Sequence, residues 1–510
     1  MPSGLYRKSA RNSICLLLNL VIFFIPVLSN AQFNPSPNCQ KAYQKIVDLR
    51  FIEARQFISA EKKSDPSNLI PLYLENFIDF LTIIVTDEKA QYERIKPVFL
   101  SRMKSLEDGH KDSPYRDLCL GGSNIQWAFI QMQFGEYTQA ALKIRKAHRC
   151  FTENAVAFPD FLPNNIGLGI THMIGGMVPD SYKWVSSLMG LDGTLSQGLA
   201  EVKTVADYKG SDPFYSQFRT EALFYLSIVS ASLIKDKAQA LKIISLFNES
   251  DGSQSPVLAF ARASILMKNG LNEQALNVLI HRPRDPLIYP FHYLEFMEGN
   301  ARLNKLDTSA MSCFRDFLKN YRGVNFIQSA WQKIGWLKLL RGDTSGYFSS
   351  MNKILNDGKA VGEDDKQAFA EAESKVVPNV ILLRARLLFD GGYYSKALSE
   401  LLDRPIKSFL SGRKDYTEYF YRLGRIYHES GNTGKALSYY HTAIQRGKND
   451  PWYFAASAAL QSGIIHEQKG EFSSADSAYK VCLECRNTEY KYSLAQKAKA
   501  GISRIKSQKP

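Results

Sequence analysis

The sequence predicts an all-α chain, built as an α-solenoid of stacked antiparallel helix pairs. Three observations predict it. Apolar and small residues recur at helical spacing through most of the chain, glycines interrupt them at short intervals, and the Val/Thr alternation and Asn-Gly turns of hairpins are scarce. A short helix pair cannot bury its apolar face alone, so it must stack on its neighbours.

The elements follow in order. Arg7, Lys8 and Arg11 precede the apolar run Ile14 to Leu28, which ends in Ser29-Asn30-Ala31. That is the layout of a secretory signal peptide over residues 1–31, cut after Ala31. The run is shorter than the roughly 20 residues a spanning helix needs, so no transmembrane span is expected after cleavage. Gln32 stands where a lipoprotein carries its acylated cysteine, and Cys15 lies inside the run, so no lipid anchor is expected either.

N-terminal helical repeats are expected over 32–157. Leu49, Phe51, Ala54 and Ile58 read as a degenerate opening pair closed by Asp65-Pro66-Ser67. Ala128, Gly135, Tyr137, Ala140 and Ala147 form a clearer copy with its turn at Gly135-Glu136-Tyr137. Residues 158–215 break the pattern: Pro159, Pro163, Pro179 and Pro213 alternate with glycines that include 167, 169, 175, 176 and 198. This irregular segment reads as a modified helix pair with tight glycine contacts, against the alternative of a ligand pocket or a membrane-touching loop. Degenerate repeats follow over 216–375, regular ones over 376–490, and a capping helix over 491–510, where Leu494, Ala498, Ile502 and Ile505 share one stripe.

The clearest copy runs from Phe420 to Ala443. Phe420, Leu423, Gly424 and Tyr427 share one helical period, Gly431 interrupts it, and Ala436, Tyr440 and Ala443 resume it. Phe420-x-x-Leu423-Gly424-x-x-Tyr427 followed by Ala436-x-x-x-Tyr440 resembles the tetratricopeptide (TPR) signature, of the exported bacterial type. Gly463, Gly470, Ala475 and Tyr479 repeat the order 39 residues on. Arg262-Ala263, Gly270 and Ala275 recur as Arg384-Ala385, Gly392 and Ala397, always 122 residues later, which reads as an internal duplication. Pro179, Trp184, Leu188, Gly190, Gly193 and Gly198 faintly resemble a segment of the eukaryotic tetratricopeptide-39 and inclusion-body-clearance family. The TPR resemblance implies a scaffold with a concave face that binds a protein or peptide.

No His-Glu-x-x-His pair, Gly-x-Ser-x-Gly elbow, phosphate-binding loop or dinucleotide fingerprint occurs, so no catalytic residue, cofactor or metal is expected. Glu363-Asp364-Asp365 before Lys366 reads as a solvated helix start. Cys482-x-x-Cys485 has no second pair of ligands nearby, and Cys482 falls on a buried helical face. The formal charge is +14, and +11 without the leader, spread along the chain in a way that does not imply nucleic acid.

The candidate binding groove follows by subtraction. Leu423, Gly424 and Tyr427 are used in packing, whereas Tyr421, Arg425 and His428 form a separate stripe that the repeat does not need. Arg386 holds the equivalent place on the earlier helix. An aromatic, a guanidinium and an imidazole in line suit an acidic or aromatic peptide. The expectation is an exported, non-catalytic adaptor for a protein or cell-envelope partner. The alternatives are a glycan-binding protein resembling the starch-utilisation outer-membrane family, whose lipidated cysteine and Asn-Pro-rich C-terminus are missing here, and an enzyme of unrecognised type.

Overall fold

The computed structural model describes residues 32–177, 190–191, 193–210, 213–233, 237–248, 251–356, 362–408 and 410–507. The leader at 1–31 lies outside them, as do Pro179, Trp184 and Leu188 of the faint second resemblance. Among the described residues the chain is helical, with one isolated bridge between Gln32 and Asn68. None of these helices is long and apolar enough to cross a membrane.

The chain divides into two compact units, one running to Thr82 and resuming over Ala90–Arg219, the other comprising Ile83–Lys89 and everything from Thr220 on. The first contains α1 (Pro37–Val47), α2 (Phe51–Ser64), most of α3 (Ile70–Thr86) and α4 (Lys89–Glu107), α5 (Pro114–Gln133), α6 (Tyr137–Ala157), α7 (Asn164–Met177) and α8 (Leu195–Ala206). The second runs through α9 (Arg219–Leu233), α10 (Lys237–Ile244), α11 (Pro256–Lys268), α12 (Asn272–Ile280), α13 (Tyr293–Asn304) and α14 (Ala310–Asn320). It continues with α15 (Ile327–Leu340), α16 (Thr344–Asn356), α17 (Glu363–Ser374), α18 (Val380–Asp390) and α19 (Tyr394–Leu402). It ends with α20 (Arg413–Glu429), α21 (Thr433–Gly447), α22 (Phe454–Gln468), α23 (Phe472–Glu484) and α24 (Lys491–Ser507).

One turn recurs along the chain. At the end of α20 the amide of Gly431 donates to His428 O and that of Asn432 to Tyr427 O, at 3.0 and 2.8 Å. This double bond needs a left-handed residue, and Gly431 supplies it at φ +82°. Asn432 then caps α21, its side chain accepting from the Lys435 amide at 3.1 Å. A glycine opposite a ring closes the pair: a Cβ on Gly424 would lie 2.4 Å from the Tyr440 ring. The next pair repeats this with Gly463 against Tyr479, and Gly501 of α24 presses on the other side of the same ring, which seats the terminal helix. These are TPR-like pairs, and they form an all-α solenoid. The same device serves upstream, with Gly121 and Gly167 against Phe151 and Gly299 against Phe314; at Gly335 the Met351 side chain takes the place of the ring.

In the irregular segment, α7 and α8 meet glycine to glycine. A Cβ on Gly198 would stand 2.3 Å from Gly169 O, and one on Gly169 2.6 Å from Gly198 O. His172 Nδ1 lies 2.7 Å from a Glu201 carboxylate oxygen within this pair.

Two expectations are corrected. Stacking is not confined to sequence neighbours, because the turns of the two duplicated copies touch: a Cβ on Gly392 would sit 2.0 Å from Gly270 O. Asn272 donates to Tyr393 OH at 3.0 Å, and Tyr393 OH donates to Glu273 at 2.8 Å. The acidic start of α17 is not wholly solvated either. Asp365 is fully buried, and its carboxylate accepts from the amides of Phe326 at 2.6 Å and Ser329 at 2.8 Å. It caps α15 from outside, since Phe326 at that cap has no side-chain acceptor. Burial raises the Asp365 carboxyl above its ordinary value against the pull of those two amides.

Candidate functional site

Helices α18 and α20 both carry arginines of the expected groove. Arg386 sits one turn before Phe389 and Asp390 on α18, and Arg422 and Arg425 are three apart on α20. Together with Tyr421, and with Tyr453 at the start of α22, they line a cavity of about 150 Å³. That volume holds several waters at roughly 10–15 Å³ each on this measure. Three of the four residues read from sequence as a groove, Arg386, Tyr421 and Arg425, therefore share one cavity.

Their roles differ from the expected stripe. Tyr421 is a core residue, 5% exposed, packed with Ala436, Tyr440 and Phe454, and its hydroxyl lies 3.0 Å from Ser457 Oγ. The repeat does use it, because the following pair closes over that side of α20. His428 does not line the cavity; it turns toward Tyr440, with Nδ1 3.3 Å from the phenol oxygen. At i+7 it has rotated past the cavity edge onto the helix pair.

The guanidiniums are unequally engaged. Arg422 is 8% exposed and donates through Nε to Glu418 at 2.7 Å, with Nη2 on the same oxygen. Arg425 donates to Tyr421 OH at 3.3 Å, stands 3.5 Å from Glu429, lies over the Phe389 ring at 5.0 Å, and has a buried Nε with no acceptor. Arg386 makes no hydrogen bond among the described residues. Its Nε is 3.8 Å from Asp390, and its guanidinium lies 5.1 Å from the centre of the Trp336 ring. Lys333 lies over the same indole at 4.4 Å. Burial, and then repulsion from Arg386, pulls the Lys333 ammonium down to about 8. Burial pushes the Tyr453 phenol up, so it stays a neutral donor.

Arg422, Phe389, Asp390, Tyr453, Lys333 and Trp336 were not legible as site residues. Arg422 could have been reached from its three-residue spacing to Arg425; Tyr453 and Trp336 come from other pairs and carry no sequence signal. Among the described residues no group of three or more His, Cys, Asp or Glu side chains is placed to hold a metal. Cys482 packs with Tyr479, Leu494 and Ala498, and burial pushes its thiol up to about 12.

Burial also holds the His428 imidazole below its ordinary value. A depressed histidine favours folding in its neutral form, so its contribution is present above about pH 6.5 and lost as pH falls through the folded-state value. His428→Gln should flatten the decline in thermal stability of the wild-type chain between about pH 7 and pH 5. Parallel melting curves for the two proteins over that range would contradict the buried neutral imidazole.

The chain was compared with known proteins as a whole. No family model and no curated protein sequence matches it. It is similar to the structure of an IFIT1 monomeric mutant with Gppp-AAAA, at 12% identity over 93% of this chain and 96% of the other, with a TM-score of 0.28. It is similar also to yeast Tom70, at 12% identity over 92% of this chain and 88% of that one, with a TM-score of 0.23. The TPR-like character of the fold rests on this chain's own glycine turns and glycine-to-ring pairs.

Proposed function

We propose that the chain is an exported, non-catalytic scaffold whose C-terminal repeats hold an acidic segment of a partner protein in the cavity between α18, α20 and α22. The observation that carries this reading is Arg386, a guanidinium at a cavity wall with no hydrogen bond among the described residues. Packing does not need a charge there. A partner carboxylate would gain a charge-assisted, bidentate contact that the protein itself leaves open.

The test uses a fluorescein-labelled hexaglutamate peptide and the mature chain. Arg386→Gln and Arg425→Gln should each weaken binding by about ten- to hundredfold, as expected for losing a hydrogen bond to a charged group of about 1.5–3 kcal/mol. Their helical circular dichroism should be unchanged. Binding that is equal in wild type and both variants would place the acidic segment elsewhere or remove it altogether.

Export rests on the sequence of residues 1–31. Protein recovered outside the cytoplasm should begin at Gln32, and an intact Met1 on that material would defeat the reading.

A further inference from the structure

Arg386, Arg422 and Arg425 offer more donors than a carboxylate can take. A guanidinium carries five N–H groups. Among the described residues Arg386 uses none in a hydrogen bond, Arg425 uses one and buries an unpaired Nε, and Arg422 places two of its groups on a single oxygen of Glu418. The carboxylates nearest Arg386 and Arg425, Asp390 and Glu429, stand off at 3.8 and 3.5 Å.

We infer that the group gripped in this cavity is a phosphate monoester on a side chain of the partner, a deepening that rests on the scaffold reading above. Arg386 approaches from α18, while Arg422 and Arg425 approach from α20. Three guanidiniums from two helices need an anion with acceptors on more than one edge. A carboxylate has two oxygens in one plane and one charge; a phosphate monoester has three terminal oxygens and close to two charges at neutral pH. Asp390, whose carboxylate stands 3.8 Å from Arg386 and opposes an incoming anion, completes the wall with the ring of Phe389 and the phenols of Tyr421 and Tyr453. The three rings lower the local dielectric and so strengthen each charge-assisted contact. Lys333 on the Trp336 indole adds positive charge beside Arg386.

The experiment compares three labelled peptides of one acidic sequence, with phosphoserine, glutamate or serine at the centre, on the full mature chain. The phosphoserine peptide should bind at least about tenfold more tightly than the glutamate peptide. Arg386→Lys, which keeps the charge but loses the fork, should erase most of that preference while the glutamate peptide still binds. Equal binding of the phosphoserine and glutamate peptides would overturn the phosphate proposal and leave the acidic-segment reading standing. No binding of any peptide would overturn both. Inorganic phosphate and O-phosphoserine serve as competitors: weak competition supports a partner-borne group, and displacement at concentrations matching the peptide's own affinity would overturn that part.

Discussion

Gly392→Ala is expected to destabilise the second unit by about 2–5 kcal/mol, seen as a lower thermal or urea midpoint. Two effects act together. Gly392 lies at φ +79°, where an L side chain costs about 1–2 kcal/mol. Its Cβ would also stand 2.0 Å from Gly270 O, so two backbones must separate, and overpacking of this kind costs about 1–3 kcal/mol. Gly342→Ala isolates the first effect, since Gly342 has φ +81° and a Cβ there would have no neighbour within 4 Å. The difference between the two variants measures the contact between the duplicated turns. Equal losses would mean that these turns do not touch in solution.

That contact shows where sequence reading stops. The spacing of Gly424 and Tyr440 falls within one helix pair, so periodicity finds both the turn and the packing. The 122-residue repeat of Gly270 as Gly392 is equally plain, yet nothing in either copy says that one rests on the other. Asp365 fails for the same reason. A carboxylate at a helix start is ordinarily wet, and its role as cap for α15 exists only because α17 returns to that end. Local pattern reports what a segment buries, not what it is buried against.

The candidate cavity divides along the same line. Arg386 and Arg425 stand out because guanidiniums on helix faces near a repeat core are not required by packing. Tyr421 serves both the cavity wall and the repeat core, and its core role is invisible in sequence because a tyrosine one residue past the consensus position reads as a groove residue alone until α22 covers it. His428 shares the spacing but not the place: seven residues fall about 20° short of two turns and rise about 10 Å along the axis, which leaves it beyond Tyr421 on the side away from Arg422 and Arg425. Tyr453 and Arg422 complete the wall through tertiary placement.

Glu298→Ala should cost about 3–5 kcal/mol, the range for breaking a buried ion pair and leaving its partner unpaired. Glu298 is 5% exposed and takes four bonds from three arginines. Arg282 Nη1 donates at 2.6 Å and Arg284 Nη2 at 3.0 Å to one oxygen, while Arg302 Nη2 at 2.9 Å and Nε at 3.1 Å reach the other. Arg282, itself 5% exposed, would keep among the described residues only Glu295 at 3.0 Å and the Leu279 carbonyl. Burial alone would raise the Glu298 carboxyl, but Arg282 and Arg302 hold it below the usual carboxylate range. The sign then follows: the stabilisation is complete above the unfolded value of about 4.3 and lost as pH falls through the folded one. Glu298→Gln keeps the shape and one acceptor, so it should cost less than alanine while removing the same acid-dependent part. Urea titrations at neutral pH and in a series below about pH 5 measure both effects. A loss under about 1 kcal/mol for Glu298→Ala, the level of an exposed pair, would show that the arginines reach water instead of this carboxylate.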